Sequence, residues 1–349
     1  MIRMRTIAAL LLAFLMVSSG ESFAQKKDYQ VACVGFYNLE NLFDTIDDPN
    51  KRDEEYLPGG KRKWSKARYE DKLFNMAHII SLMGKNGVQE GVSILGVSEI
   101  ENRRVLEDLV QQSPIKNRNY QIAHFESPDK RGIDVGLLYN PDHFKLLDQK
   151  KYKYQPLKEN GDTLYTRDQL LVSGLLFGDK VHVIVNHWPS RYGGEKKSRP
   201  NRNGAAAVTR SIADSLLKDD ANAKIFIMGD LNDDPINESV KKVIGTKASK
   251  KKVQGGLFYN PWENLYKNGI GTLAYRDSWN LFDQILLSNP LVHTKGGFTY
   301  LKSEILREKF MFTENGRYKG YPKRTFSFDN YVGGYSDHLP VFVYLVKEK

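Results

Sequence analysis

The sequence predicts a mixed α/β fold. Short apolar runs rich in β-branched residues recur from Val31 to Val346, which is the mark of buried strands. The segments joining them are of two kinds, tight polar turns and stretches with helical periodicity, so hairpins and helical crossovers both occur. No short repeat and no linker-like stretch divides the chain, and residues 25–349 read as a single domain.

Residues 1–24 read as a signal peptide. Arg3 and Arg5 form a positive start, Ile7 to Val17 an apolar core, and Ser22-Phe23-Ala24 a small-x-small cleavage site. That core is well short of the roughly 20 residues a membrane span needs, so no transmembrane segment is expected. The expectation is an exported monomer, periplasmic or secreted. Cys33 is the one cysteine, which excludes an intrachain disulfide and leaves core burial to stabilise the fold. The formal net charge of +10 and the pI near 9.3 favour an anionic partner such as nucleic acid, with plain solubility as the lesser reading.

Taken in order, Val31 to Tyr37 is a strand that ends at Asn38-Leu39-Glu40-Asn41. A polar stretch containing Asp47 to Arg52 and Lys61 to Lys66 reads as an exposed loop. Ser65 then caps a helix to Met83, with Leu73, Ala77, Ile80 and Met83 on one face and Gly84 as the stop. Val92 to Val97 is a buried strand ending at Ser98-Glu99, and Asn102 to Gln112 is a helix. Tyr120 to Glu126 pairs with Ile133 to Tyr139. Leu170 to Phe177 and Lys180 to Asn186 form a hairpin around Gly178-Asp179. Asn203 is expected to cap a helix through Leu217. Ile225 to Met228 is a strand broken by Gly229, with Asp230, Asn232, Asp233 and Asp234 in a loop closed by Pro235. Gln284 to Leu287 and Pro340 to Val346 are the remaining strands.

The GDLNDDP loop is either an ordinary turn or a rim of oxygen ligands for Mg²⁺ or Mn²⁺, since both use Gly, Asp and Asn. Other strand ends decide between these. Asn38 follows VGFY, Glu99 follows ILGVS, His187 follows VHVIVN, Asp283 precedes QILLS, and Asp337-His338 precedes LPVFVYLV.

The ordered set FYNLEN, SEIEN, NHWPS, GDLND, FDQILLS and SDHLPVF resembles the endonuclease/exonuclease/phosphatase superfamily, the family of DNase I, in an exported bacterial branch. The resemblance covers about residues 31–346. It implies a four-layered α/β sandwich, two mixed β-sheets face to face with helices on the outside, and metal-dependent hydrolysis of phosphate esters. Asn38, Glu99 and Asp337 match its metal and metal-support positions. Asp230 matches the residue that orients or deprotonates the water, and Asn232 the one that hydrogen-bonds phosphate. Asp283 and His338 match the carboxylate–imidazole pair. His187 matches a second histidine and Asp134 the acid that pairs with it. Arg167 resembles a phosphate-contacting arginine, with a surface ion pair to Asp168 as the other reading. Arg191, in the basic run 191–202 after His187, is a further phosphate contact.

Gln284 stands where many relatives carry tyrosine or histidine, which would alter the substrate floor. Tyr259, Trp262, Tyr266, Tyr275 and Trp279, interleaved with basic residues, suit either base stacking or core packing. The substrate expected is nucleic acid. A small or lipid phosphate is the alternative, with GLFYNPW at 256–262 as a membrane-inserting hairpin, and a non-catalytic binding protein is the remote one.

Overall fold

The computed structural model describes residues 28–157, 161–294 and 296–349, so the signal-peptide expectation lies outside the described residues. In chain order the strands are β1 (Tyr29–Leu42), β2 (Ile94–Ile100), β3 (Gln121–His124), β4 (Asp134–Tyr139), β5 (Phe144–Tyr152), β6 (Gln169–Leu176), β7 (Asp179–His187), β8 (Ile225–Asp230), β9 (Thr246–Lys247), β10 (Phe258–Tyr259), β11 (Leu273–Tyr275), β12 (Ser278–Asn280), β13 (Asp283–Ser288), β14 (Thr299–Ile305), β15 (Phe326–Ser327), β16 (Asn330–Tyr331) and β17 (Val341–Glu348). The long helices are α1 (Lys66–Leu82), α2 (Arg103–Val110) and α3 (Glu195–Asp219).

Two mixed sheets result, in the orders β14-β17-β1-β2-β4-β3 and β5-β6-β7-β8-β13-β10-β9. Strand parity sets the layers, because successive side chains point to opposite faces. Ala32, Val34 and Phe36 of β1, Val183 and Val185 of β7, Phe226 and Met228 of β8, and Val341 and Val343 of β17 share one core between the sheets. The alternate residues Cys33, Tyr37, Phe342 and Tyr344 face outward and pack with Leu73, Met76 and Ile80 of α1. On the other outer face, Ile184, Ile225 and Ile227 pack with Ala205, Ala206 and Ile212 of α3. Each central strand therefore buries both faces, which is why these strands read as continuous apolar runs. The four-layered sandwich is as expected.

The caps of α1 and α2 are where the sequence puts them. Ser65 accepts a hydrogen bond from the Arg68 amide and Asn102 from the Val105 amide. The β6–β7 hairpin turns at Phe177 and Gly178, both at positive φ, as a two-residue turn of this hand requires. The third helix differs from expectation: it begins at Glu195, and Asn203 lies inside it, bonded to Glu238. Pro200, the sixth residue of the helix, leaves the Lys196 carbonyl without its i+4 amide donor. Among the described residues no helix is long and apolar enough to cross a membrane.

Candidate active site

Parity also builds the site. His187, Asp230 and Asp283 are direct register partners across β7, β8 and β13. They continue the inward-facing series of those strands, so their side chains project at one end of the inter-sheet core. Asn38 continues the inward series of β1 from the opposite sheet. Both strands of the six-stranded sheet that reach the site are irregular there, with register shifts between Asn38 and Leu42 and between Ser98 and Ile100. Glu40, Asn41 and Glu99 adopt positive φ, and such bulges re-aim side chains at a sheet rim.

Asp230 is the centre. Its Oδ1 accepts the Asn232 amide at 2.9 Å and its Oδ2 accepts Asn38 Nδ2 at 3.1 Å. His187 Nε2 lies 3.6 Å and His338 Nε2 3.9 Å from that same Oδ2. Burial pushes the Asp230 carboxyl up to about 7, against the pull of His338 and with the push of Asp283. His338 Nδ1 meets Asp283 Oδ2 at 2.7 Å. Burial alone would lower His338, but Asp283 and then Asp230 outweigh it and hold the imidazolium well above its ordinary range. His187 goes the other way. Burial, Arg167, Arg131 and His338 keep it neutral, well below the usual value. Two buried imidazoles of opposite protonation thus flank one carboxyl.

Gly229 makes this approach possible. At φ +154 it faces Asn186 across the β7–β8 pair, and a Cβ there would lie 2.1 Å from the Asn186 carbonyl oxygen.

Glu99, His187 and Asp230 each offer one ligand atom, all within 4.8 Å of one another. Glu99 Oε1 is 3.9 Å from His187 Nε2, while its Oε2 is fixed by the Asn41 amide at 3.0 Å. Two carboxylates and a neutral imidazole fit a divalent cation such as Mg²⁺ or Mn²⁺. This set overlaps the expected one at Glu99. Asn38 lies beside it, with its amide nitrogen on Asp230 and its Oδ1 accepting the Glu40 amide at 2.9 Å.

Several expected roles are not met. Asp134 does not pair with His187. Its carboxylate accepts from Ser127 at the amide (2.8 Å) and the hydroxyl and sits 3.0 Å from His124 Nε2. The Asp134 carboxylate is taken up by His124 on the neighbouring β3 and by Ser127, while His187 Nε2 turns to Glu99 and Asp230. His187 Nδ1 has no hydrogen-bond partner among the described residues. Asp337 is bound to Arg324 instead of standing at the metal cluster. Arg167 is buried, donating to the carbonyls of His187 (3.1 Å) and Trp188 (2.6 Å) and to Asp129 (3.3 Å). It is therefore a strut, and the surface pair with Asp168 is not formed. Arg191 braces the GDLND loop through Asn232 O, Asp233, Asp234 and Asn237 and lies over the Phe282 ring. Arg202 is buried beside Asp233 and Arg199 pairs with Glu195, so these members of the basic run do not form a free phosphate track. Asn232 directs its amide to Trp188 O at 2.9 Å. Gln284 is fully buried behind the loop, bonded to Asn260 and Asp233 O, and forms no substrate floor. The proposed membrane hairpin is also buried: Phe258 and Trp262 have no exposure.

The sequence reading passed over Ser336, whose hydroxyl donates to Asn38 O at 2.8 Å and ties the SDH segment to β1. Its place beside Asp337-His338 was the available signal. It also passed over the buried cluster of Glu40, Lys72 and Thr325, closed on its outer side by the half-exposed Arg324, for which spacing offers none. Lys72 donates to Thr325 Oγ1 and Tyr335 O, and Glu40 accepts from Thr325 and Arg324.

A double-sheet sandwich carrying a carboxyl between two imidazoles, with ligand atoms alongside that fit a divalent cation, suits a phosphoester hydrolase. The pattern of the endonuclease/exonuclease/phosphatase family matches residues 33–347, and the chain belongs to that family. Among solved structures it is similar to an endonuclease/exonuclease/phosphatase family protein from Bacteroides thetaiotaomicron, with 16% identity, TM-score 0.54, and coverage of 92% of this chain and 99% of that one. It is also similar to the mannosyl-6-phosphatase Bt3783 of the same organism (15%, 0.52, 90% and 99%). A third is D. rerio TDP2 complexed with single strand DNA product (14%, 0.50, 90% and 99%). At these identities the likeness is one of fold. No curated protein matches the chain.

Proposed function

We propose that the chain is an exported, divalent-metal-dependent phosphodiesterase that hydrolyses nucleic acid. The observation that carries the chemistry is the Asp230 carboxyl within 4 Å of both a neutral and a protonated imidazole. Phosphoryl transfer to water needs an oriented water, neutralised phosphoryl oxygens and help for the leaving oxygen. Asp230, whose Oδ2 faces both imidazoles, is placed to take a proton from that water. His338, held by Asp283, keeps a proton facing Asp230 and offers it to an oxygen of the ester. Asn38 and the Asn232 amide fix the Asp230 carboxylate in one orientation. When bound by Glu99, His187 and Asp230, Mg²⁺ or Mn²⁺ would supply charge neutralisation on the phosphoryl oxygens. The nucleic-acid assignment is supported by the charge of +10 and by a fold relative bound to single-stranded DNA.

The test is a panel of plasmid DNA, single-stranded DNA, RNA, sphingomyelin and a phosphomonoester, with Mg²⁺, Mn²⁺ or EDTA. Polynucleotide cleavage that EDTA abolishes and either ion restores is expected. Full turnover in chelator would remove the metal, and turnover confined to the monoester or the lipid would remove the substrate class.

A further inference from the structure

The hairpin β11–β12 and the segment 313–331 meet beside the site. Tyr321 donates its hydroxyl to Asp277 Oδ1 at 2.6 Å and accepts the Asp277 amide, tying the hairpin tip to the segment. Both halves touch catalytic elements. Thr272, immediately before the hairpin, accepts the Asp283 amide at 3.4 Å and, through its carbonyl, the Leu339 amide at 2.8 Å. Arg324 is held by Glu40, two residues past Asn38, and by Asp337, the neighbour of His338, and remains half-exposed.

The large apolar side chains that this surface exposes are aromatic: Tyr275 at 61% and Phe328 at 72%. Phe328 sits at φ +54 in the turn between β15 and β16. A bulky L residue is disfavoured there, and the turn conformation suits Gly or Asn better, so the fold holds an exposed ring outward at a conformational cost. Tyr318 lies 5.9 Å from Phe328 and 5.5 Å from Tyr321, whose bond to Asp277 brings the hairpin tip carrying Tyr275 to the same edge. Cations accompany them, Arg276 over Tyr275 at 5.3 Å and Arg317 over Tyr318 at 5.8 Å.

We propose that this face binds the unpaired bases of a single-stranded polynucleotide on Tyr275 and Phe328 while Arg276 and Arg317 meet its phosphates. It rests on the phosphodiesterase reading and adds a substrate form and a binding surface. Exposed aromatic faces stack on any base, and they need bases that are not paired. Charge complementarity selects a polyanion. A bilayer is the poorer occupant because Arg276 and Arg317 stand over the rings, Val332 is a lone exposed aliphatic at the edge of the patch, and Tyr321 keeps its hydroxyl bonded to Asp277.

The experiment uses the Asp230→Asn protein, a fluorescein-labelled 12-nucleotide single strand and fluorescence anisotropy. Tyr275→Ala and Phe328→Ala should each weaken binding by about 5- to 160-fold, the range of one base stacked on one ring. The slope of log affinity against log salt should stay the same, because no phosphate contact is removed. Phe328→Tyr should restore the affinity, which a merely structural role for the ring would not predict in parallel. Blunt duplex should change less than twofold. Binding of the single strand that is absent, or that alanine at both positions leaves within twofold, overturns the proposal. So does loss of phosphatidylserine-vesicle binding without loss of oligonucleotide binding. Hydrolysis of bis(4-nitrophenyl) phosphate by the otherwise unaltered protein separates the two ideas. Its absence counts against the phosphodiesterase reading, whereas its presence with ring-independent binding counts against this surface alone.

Discussion

Replacing Asp283 by asparagine keeps the shape of the side chain and removes one charge from the centre of the site. Asp283 stands 2.7 Å from His338 Nδ1 and is the foremost of the groups that raise this imidazole. It also raises Asp230, its register partner on β8. An opposite charge this close typically moves a pKa by about 1–3 units. The asparagine should therefore lower His338 by about that much and lower Asp230 from about 7 in the same step. The two changes have one sign, so the range in which Asp230 is charged and His338 still protonated moves to lower pH. In metal-free protein, the ring-proton resonances of His338 followed by NMR should titrate at lower pH in the variant. In turnover, the loss should approach the roughly 10²–10⁴-fold worth of a general acid at pH 8 and be smaller at pH 6, where more imidazolium survives. Thermal denaturation should show that the variant is folded, because one Asp283 oxygen is already buried without a partner. An unmoved His338 titration, or a rate loss equal at pH 6 and pH 8, would refute the pairing as the source of the proton.

Two other changes test structural assignments. Glu101 is buried, and burial with the charges of Asp44 and Asp53 pushes its carboxyl up to about 8 against the Asp44 amide, which donates to it at 2.7 Å. Between about pH 4.5 and 8 the native chain keeps this proton and the unfolded chain has released it, so stability falls as pH rises through that window. Glu101→Gln should match the parent at pH 4 and exceed it at pH 8 by at most about 5 kcal/mol in urea denaturation; a gain equal at both pH values would contradict the assignment. Arg167→Met should destabilise by about 2–5 kcal/mol, since it removes a buried guanidinium from the His187 carbonyl and from Asp129 Oδ2, while Trp188 O keeps the Asn232 amide and Asp129 Oδ1 keeps the Arg131 amide. It should leave KM nearly unaltered, whereas a phosphate contact would show the reverse, a raised KM in a stable protein.

The parts legible in the sequence are those fixed by local chemistry. Ser65 and Asn102 cap helices through their own side chains, and strands buried on both faces announce themselves as unbroken apolar runs. Edge strand β5 was missed because FKLLDQKKY is solvent-facing over much of its length, with lysines of the kind that guard an edge. The start of α3 was missed because EKKSRPNRN has loop composition. Its attachment is tertiary, through Arg202 and Asp233, and no window of the sequence contains both. The same division runs through the site. Acids and amides at strand ends could be collected one by one, but partners could not, because a partner depends on which sheet a strand joins. The resemblance matches Asp134 to His187, yet His124 on the adjacent β3 and the Ser127 amide take the Asp134 carboxylate. Arg167 and Arg191 look like phosphate ligands in sequence, yet their acceptors are carbonyls and carboxylates brought in from chain-distant loops.

Register is the quantity beneath all of these. Asn186 and His187 are adjacent and point to opposite faces of β7, so a slip of one residue would exchange them. Asn186 prevents the slip from the outer face. Its amide donates to the carbonyls of Ile184 and Met228, and its oxygen accepts from Trp188 Nε1 and Thr209 Oγ1. Its register partner is Gly229, where any side chain would collide with the Asn186 backbone. The glycine that a motif reading assigns to breaking a strand is therefore the residue that lets Asn186 pin the strand. That pin holds His187 facing Asp230, and the chemistry of the inner face rests on hydrogen bonds made on the outer one.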